Sequence, residues 1–197
     1  LLHVVDASGG IDSSGRITET GTGDPVSEFA DIEEELNMWY QKIFEGNRDK
    51  LQKMISSDND QISALTELYQ GMGVKQSHVK DALKITNLEE KDIENYNIND
   101  SKKFATELRR ISKPTLIVAN KIDIDGAAKN FQRLRERYND IIVVPASADS
   151  ELSLRRAEQK NLIKYSPGSE KFDILKENDL NQKQKNALNF IESDIMG

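Results

Sequence analysis

The residues best suited to specific chemistry form an Asn-Lys-x-Asp tetrapeptide, Asn120, Lys121 and Asp123, directly after a short apolar run at 116–118. The run predicts a strand, and ligands of open parallel α/β sheets bind where strands end. The Asp123 carboxylate can accept two parallel hydrogen bonds from the ring N–H and exocyclic amine of guanine. Adenine lacks that donor pair, and an unpaired desolvated carboxylate costs about 1–3 kcal/mol. The Asn120 amide can bond the base edge and pin the neighbouring loop, while the Lys121 stem can lie along the ring. The tetrapeptide therefore predicts guanine recognition; a helix cap or turn is the alternative.

A second apolar run, 140–146, ends in Ser147 and Ala148. The interval between the runs leaves room for one helix, from Ala127 to about Tyr138. A strand–helix–strand unit of this kind places both strand ends at one edge of a sheet. Together the two motifs resemble the guanine-recognition elements of Ras-like GTPases, in which a backbone N–H of the Ser-Ala pair meets the guanine carbonyl oxygen.

The phosphate-binding loop of a complete GTPase, G-x-x-x-x-G-K-[ST], is absent from this sequence. Its nearest imitation is 10–15, but Arg16 and Ile17 follow, so the phosphate-binding Lys and the Mg²⁺-binding hydroxyl are missing. We interpret 10–15 as an ordinary loop. The chain opens on a predicted strand without an initiator Met. We therefore expect the carboxyl-side portion of a longer protein, with the phosphate machinery and the catalytic residue upstream of Leu1.

Composition narrows the function classes. Apolar residues make up 37% of the chain and charged residues 31%, and no window approaches the roughly 20 apolar residues that cross a bilayer. The absence of cysteine excludes disulfide frameworks and cysteine-ligated zinc. With two histidines far apart in sequence, no metal site is predicted. The net charge of -7 argues against broad nucleic-acid binding, so neither a membrane nor DNA is an expected partner.

The pattern of apolar residues divides the chain into a nucleotide-binding α/β domain, 1–28 and 113–197, and a helical insertion subdomain, 29–112. The connection 29–112 is far longer than the dozen or so residues that a parallel crossover needs. A structureless loop of that length is not expected in a compact domain, so a helical subdomain is predicted. Apolar residues recur at helical spacing in Phe29–Phe44, Leu51–Ile55, Ile62–Met72, Val79–Leu83, Leu88–Ile93, Phe104–Ile111, Glu151–Gln159 and Leu180–Ile195. Within the insertion, five residues are expected to be buried together: Leu36, Tyr40, Ile43, Leu65 and Tyr69.

The whole chain resembles the YchF-type branch of the Obg GTPases, in its archaeal form. The matching segments are Leu2–Ser8, the Gly23–Pro25 turn before an acidic helix with Met38 and Trp39, Thr115–Asp123, Pro145–Arg155 and Tyr165–Gly168. The resemblance implies a Ras-like P-loop GTPase sheet in a cytoplasmic, ribosome-associated hydrolase that uses Mg²⁺, with the Mg²⁺ ligands outside this chain. In that family a phosphate loop precedes this region and a TGS domain follows it; both are missing here.

Many members of that family have altered the guanine tetrapeptide and prefer ATP. Because this chain keeps Asn120, Lys121 and Asp123, we expect it to be the GTP- and GDP-binding portion of a translation-associated GTPase, with Ser147 and Ala148 completing the base site. Two alternatives stay open: an ATP-preferring YchF-like hydrolase, and a helical interaction module that binds no nucleotide. For Asp6, at the end of the first strand, the alternatives are a side chain that faces the nucleotide pocket and one that caps the following loop; we favour the loop cap.

Overall fold

The computed structural model describes residues 1–12, 14–56 and 60–196. They form two compact units. One comprises Leu1 and Phe29–Thr115, and the other comprises Leu2–Glu28 and Leu116–Gly197. The α/β class with a parallel sheet and many helices, expected from the sequence, is confirmed. In the described part of the chain, no helix combines the length and apolar character needed to cross a membrane.

The sheet unit is built on three parallel strands: β1 (Leu2–Asp6), β2 (Leu116–Asn120) and β3 (Ile142–Pro145), in the order β1-β2-β3. On the central strand, Ile117 and Ala119 are completely buried, while the alternate positions are only half-buried. This alternation is the period of two that a strand imposes on its side chains. The central strand therefore has one fully buried face, and the three strands end at a common edge.

Helices and a small ribbon complete the sheet unit. Helix α6 (Ala127–Arg137) connects β2 to β3, and α7 (Ala148–Gln159) follows β3. A two-stranded antiparallel ribbon, β4 (Ile163–Lys164) and β5 (Asp173–Ile174), leads to α8 (Gln182–Phe190), which continues as a π-helical turn to Ile195. These elements enclose an apolar core formed by Leu154, Leu162, Ile163, Tyr165, Leu180, Leu188 and Ile191.

The helical unit contains α2 (Arg48–Ser56), α3 (Gln61–Leu68), α4 (Gln76–Thr86), α5 (Ile98–Ser112) and most of α1 (Pro25–Gly46). Its core is aromatic: the Tyr40 and Tyr69 rings stack with centroids 5.6 Å apart, and Phe104 meets Tyr69 edge-on. The core also contains Phe44, Leu51, Leu65, Val79, Leu83 and Leu108. Of the five residues expected to be buried together, Ile43 is partly buried against this cluster and Leu36 lies outside it.

Three helix predictions need correction. The predicted helix 88–93 is wrong: Asn87, in the left-handed conformation, ends α4, and only a 3-10 turn at Ile93–Asn95 follows. Leu88 and Ile93 are nevertheless buried. Their apolar character therefore indicates core positions, although they do not lie on a common helix. Helix α7 begins three residues before the predicted start because Ser147 caps it, and α8 begins two residues late because Asn181 caps it.

The loop between β1 and α1 folds back on itself through glycines. Gly23 N–H donates to the Gly9 carbonyl at 2.8 Å, and Gly21 N–H donates to the Ser8 carbonyl at 2.9 Å. Thr18–Thr22 contains no helix, so the segment 10–15 is not followed by the helix that a phosphate-binding loop opens. Ser13 in that segment lies outside the described residues. The loop is ordered by close backbone contacts that only small residues permit.

Replacing Gly23 by Ala is expected to destabilise the sheet unit by about 1–3 kcal/mol, the usual cost of forced overpacking. A Cβ at this position would lie 1.7 Å from the Ile11 carbonyl oxygen, so backbone would have to move. Urea denaturation of the two proteins measures the difference. The matched control is Gly46→Ala, because a Cβ at Gly46 meets nothing within 4 Å and Ala favours a helix over Gly. Equal stability of Gly23→Ala and wild type would contradict the prediction.

Candidate base-binding site

Strand register brings the ends of all three strands together. Asp6 pairs directly with Asn120, and Ala119 pairs with Pro145. Beyond the strands the pairing continues, because Ala7 N–H donates to the Asn120 carbonyl at 2.9 Å. The carboxyl ends of parallel strands are where α/β proteins bind ligands, and both sequence motifs lie at this edge.

A direct hydrogen bond joins the two motifs. The Asn120 side-chain oxygen Oδ1 accepts from the Ala148 backbone N–H at 3.0 Å. Asn120 is half-buried, and its amide Nδ2 group has no hydrogen-bond partner within the described ranges. The Asn120 side chain thus holds the start of α7 with its oxygen and keeps two N–H donors for a ligand.

Ser147 is the N-cap of α7. Its hydroxyl accepts from the Ser150 backbone N–H at 3.2 Å and lies 2.8 Å from the Ser150 hydroxyl, which satisfies one of the unpaired N–H groups of the first turn. The sequence assigned an N–H of the Ser-Ala pair to the guanine carbonyl oxygen. In this structure the Ala148 N–H is already donated to Asn120, so a base would have to compete for it.

Lys121 adopts a left-handed backbone conformation, with φ +63°, and its ammonium contacts the Asp6 carboxylate at 2.7 Å. The other oxygen of Asp6 accepts from the Ser8 N–H at 3.0 Å and the Ser8 hydroxyl at 2.6 Å. Asp6 therefore caps its loop as expected and also pairs with Lys121. Burial alone would raise the pKa of Asp6, but the bonds from Lys121 and Ser8 outweigh it and hold that pKa below its ordinary value.

Asp123 lies in the turn between β2 and α6. Two backbone bonds fix this turn: Ile124 N–H to the Lys121 carbonyl at 3.0 Å, and Ile122 N–H to the Ala146 carbonyl at 3.1 Å. The Asp123 side chain is half-buried, and in the described residues its carboxylate has no hydrogen-bond or ion-pair partner. A carboxylate in that situation is available to accept hydrogen bonds from a ligand.

A cleft of about 490 Å³ opens beside the strand ends and is lined in part by Asn120, Ser147 and Ala148. Apolar side chains form much of the remaining wall, including Val4, Val118, Leu154 and Ile191. Neither Lys121 nor Asp123 lines it. The structure thus gathers three of the five predicted site residues around one cleft and places the other two on the adjoining turn.

Two contacts at this edge were missed by sequence reasoning. The Asn130 amide on α6 donates to the Ala7 carbonyl at 2.9 Å. The Tyr165 hydroxyl donates to Glu151 at 2.6 Å and accepts from the Gly168 N–H at 3.3 Å. The Tyr165 bond is the largest influence that lowers the pKa of Glu151. The Tyr-Ser-Pro-Gly sequence predicts a turn and so points to the Tyr165 contacts. No sequence pattern near Asn130 indicates its contact with Ala7.

Known proteins resemble this chain over the part that contains the candidate site. Residues 118–197 match the family model "Obg-like GTPase YGR210-like, G4 motif-containing domain". This range contains all five predicted site residues. The resemblance to Obg-like GTPases is therefore confirmed at that level, whereas the YchF-type assignment stays a prediction.

Relatives that extend beyond this range are similar as well. The chain is 35% identical over 192 residues to "Uncharacterized GTP-binding protein MJ1332" of Methanocaldococcus jannaschii, covering 98% of this chain and 47% of that protein. It is 28% identical over 179 residues to "Uncharacterized GTP-binding protein C428.15" of Schizosaccharomyces pombe, covering 89% and 42%. The crystal structure of a GTP binding protein from Pyrococcus horikoshii OT3 superimposes with a TM-score of 0.73 at 37% identity, covering 85% of this chain and 48% of that one. The chain spans about half the length of the curated relatives it matches.

Proposed function

We propose that this chain is the base-recognising portion of a GTP-binding protein, with Asn120, Lys121, Asp123, Ser147 and Ala148 as the guanine-contacting residues. The observation that carries the proposal is the 3.0 Å bond from Ala148 N–H to the Asn120 side chain. That bond joins the two motifs at one edge of a parallel sheet. Similarity to proteins named as GTP-binding supports the same conclusion.

The three residues of the tetrapeptide have distinct parts in this proposal. Asp123 accepts two hydrogen bonds from guanine, because its carboxylate has no partner among the described residues. Asn120 donates from Nδ2 to an acceptor on the base edge. Lys121 lays its aliphatic stem along the ring. Adenine would leave the Asp123 carboxylate desolvated and unpaired, and this penalty gives the site its preference.

The wider role follows from the family resemblance. We propose that residues 1–28 and 113–197 act as the nucleotide-binding domain and that 29–112 is a helical insertion. The proposed whole protein is a cytoplasmic, translation-associated GTPase that contacts the ribosome. Mg²⁺ is implied by the family, but the described residues contain no cluster of acidic or histidine side chains fit to hold a metal ion. No residue of this chain is therefore assigned to Mg²⁺.

Nuclear magnetic resonance titration of the ¹⁵N-labelled chain tests the proposal. Guanosine 5′-monophosphate should shift the amide signals of 120–124 and 146–149, with a Kd at least about tenfold below that for adenosine 5′-monophosphate, a difference of about 1.4 kcal/mol. Monophosphates isolate the base contacts from those of a phosphate loop. Equal or tighter binding of the adenine nucleotide would favour an ATP-preferring protein. Absence of binding by either would favour a helical interaction module.

The isolated 197-residue chain is expected to hydrolyse no GTP above the buffer background. Phosphoryl transfer depends on positioning and charge stabilisation by a phosphate loop and its metal ion, and the sequence contains no G-x-x-x-x-G-K-[ST]. A malachite-green phosphate assay measures the release. Turnover that survives a second purification would show that the segment 10–15 had been misread.

A further inference from the structure

We propose that Asp6 is a positioning residue for the guanine-reading turn, acting by holding the ammonium of Lys121. This inference rests on the proposed function, since Lys121 is one of its base-contacting residues. The two residues are 115 positions apart in sequence, yet Lys121 Nζ lies 2.7 Å from Asp6 Oδ2. The Asp6 side chain is only 3% exposed, whereas that of Lys121 is 49% exposed.

The Asp6 carboxylate is held so that only one oxygen is left for Lys121. Ser8 occupies Oδ1 with its backbone N–H and its hydroxyl. Gly10 lies close to the same carboxylate, because a Cβ at Gly10 would lie 3.2 Å from Asp6 Oδ2 and also 3.2 Å from the Ser8 hydroxyl. A buried carboxylate needs compensation for its lost hydration. Lys121 supplies it, and the carboxylate in return fixes the direction of the lysine side chain.

A second carboxyl, that of Glu28, interacts with Asp6. The Glu28 carboxyl is half-buried, and its pKa is raised by burial and then by the negative charge of Asp6. Among the described residues, Lys121 is the cation paired with Asp6. Its departure would leave the Asp6 charge with the Ser8 bonds alone and a second carboxyl nearby. Loss of the Lys121 contact is therefore unfavourable for Asp6.

The backbone conformation of Lys121 explains why its contact with Asp6 matters for the turn. The left-handed conformation is unfavourable for a residue with a Cβ, so the turn after β2 needs contacts that favour it. The Asp6–Lys121 pair is such a contact, from outside the turn. A turn ordered before binding loses less entropy when the ligand arrives. Asp6 thus acts through Lys121, without touching the base itself.

The experiment compares Asp6→Asn, Lys121→Met and the double variant in the 197-residue chain. The first readout is amide hydrogen exchange at 121–124 together with the ammonium signal of Lys121, which needs no ligand. The second is the Kd for guanosine 5′-monophosphate. Glu34→Gln is the matched control, because Glu34 pairs with Lys102 at 3.0 Å in the other compact unit and both side chains are about half exposed.

Asp6→Asn should speed exchange at 121–124, broaden or abolish the Lys121 ammonium signal, and weaken nucleotide binding about tenfold, because the bond it loses is charge-assisted. In the Lys121→Met background the same change should weaken binding no further, since the two residues act as a unit. A purely structural effect of Asp6 would instead add in both backgrounds. Glu34→Gln should change neither readout.

The outcomes separate the inference from the proposed function. If the wild type prefers guanine and Asp6→Asn binds as tightly, the inference is wrong and the proposed function stands. If the wild type shows no guanine preference, the proposed function is wrong, and unchanged exchange at 121–124 would overturn the inference as well. Should Asp6→Asn fail to fold, Lys121→Gln alters the exposed partner instead, and the inference again requires faster exchange in the turn.

Discussion

Asp123→Asn is expected to change the base preference of this chain from guanine to xanthine. Without the carboxylate, guanine would lose two charge-assisted hydrogen bonds, worth about 1.5–3 kcal/mol each. Guanine affinity should therefore fall about 100-fold or more. An asparagine amide offers one acceptor and a donor, which suits the ring N–H and the carbonyl that xanthine carries in place of the guanine amine. Titration with the guanine, xanthine and adenine monophosphates, followed by nuclear magnetic resonance, measures the change.

The matched control is Asp125→Asn, an exposed carboxylate two residues further along the same turn. It removes the same charge but should leave the order of base affinities unchanged. Longer proteins that contain this chain should likewise bind GTP and GDP more tightly than ATP and ADP, by calorimetry. The guanine interpretation fails if Asp123→Asn leaves the guanine affinity intact, or if both variants weaken all bases equally.

Tyr40→Ala is expected to destabilise the helical unit by about 3–5 kcal/mol, the cost of truncating a large aromatic side chain in a core. The Tyr40 side chain is buried and stacks on Tyr69. The Tyr69 hydroxyl donates to the Tyr40 backbone carbonyl at 2.8 Å, a bond that alanine would retain. The loss therefore comes from the ring, its packing and the contact of its hydroxyl with the Ser112 hydroxyl at 3.4 Å. Urea denaturation followed by far-ultraviolet circular dichroism measures it.

Trp39→Ala supplies the control for this truncation. Trp39 is the neighbouring residue and a larger aromatic, but it is 52% exposed, and its ring meets that of Tyr40 edge-on. Its removal should cost less than about 1 kcal/mol. Both variants should keep the guanine preference of the base site. Similar costs for Tyr40→Ala and Trp39→Ala would mean that the aromatic core is not what stabilises this unit.

Local patterns predicted the elements that carry the site. The apolar run before Asn120 and the one before Ser147 both became parallel strands, β2 and β3, because short apolar runs bounded by polar residues suit strands buried in α/β sheets. The interval between them became α6. Helix boundaries were less well predicted, since they depend on capping side chains: Ser147 and Asn181 each set a start that apolar spacing does not mark.

The residue types and their order along the chain determined that a guanine-type tetrapeptide follows one strand and that a Ser-Ala pair follows the next strand. Only the tertiary structure decided how these groups are used. The bond from Ala148 to Asn120 and the pairing of Lys121 with Asp6 both depend on strand register and on the left-handed conformation of Lys121. These are contacts between distant residues, and periodicity describes only near neighbours. For that reason the sequence favours a loop cap for Asp6, whereas in the folded chain Asp6 also contacts the lysine of the proposed base-binding turn.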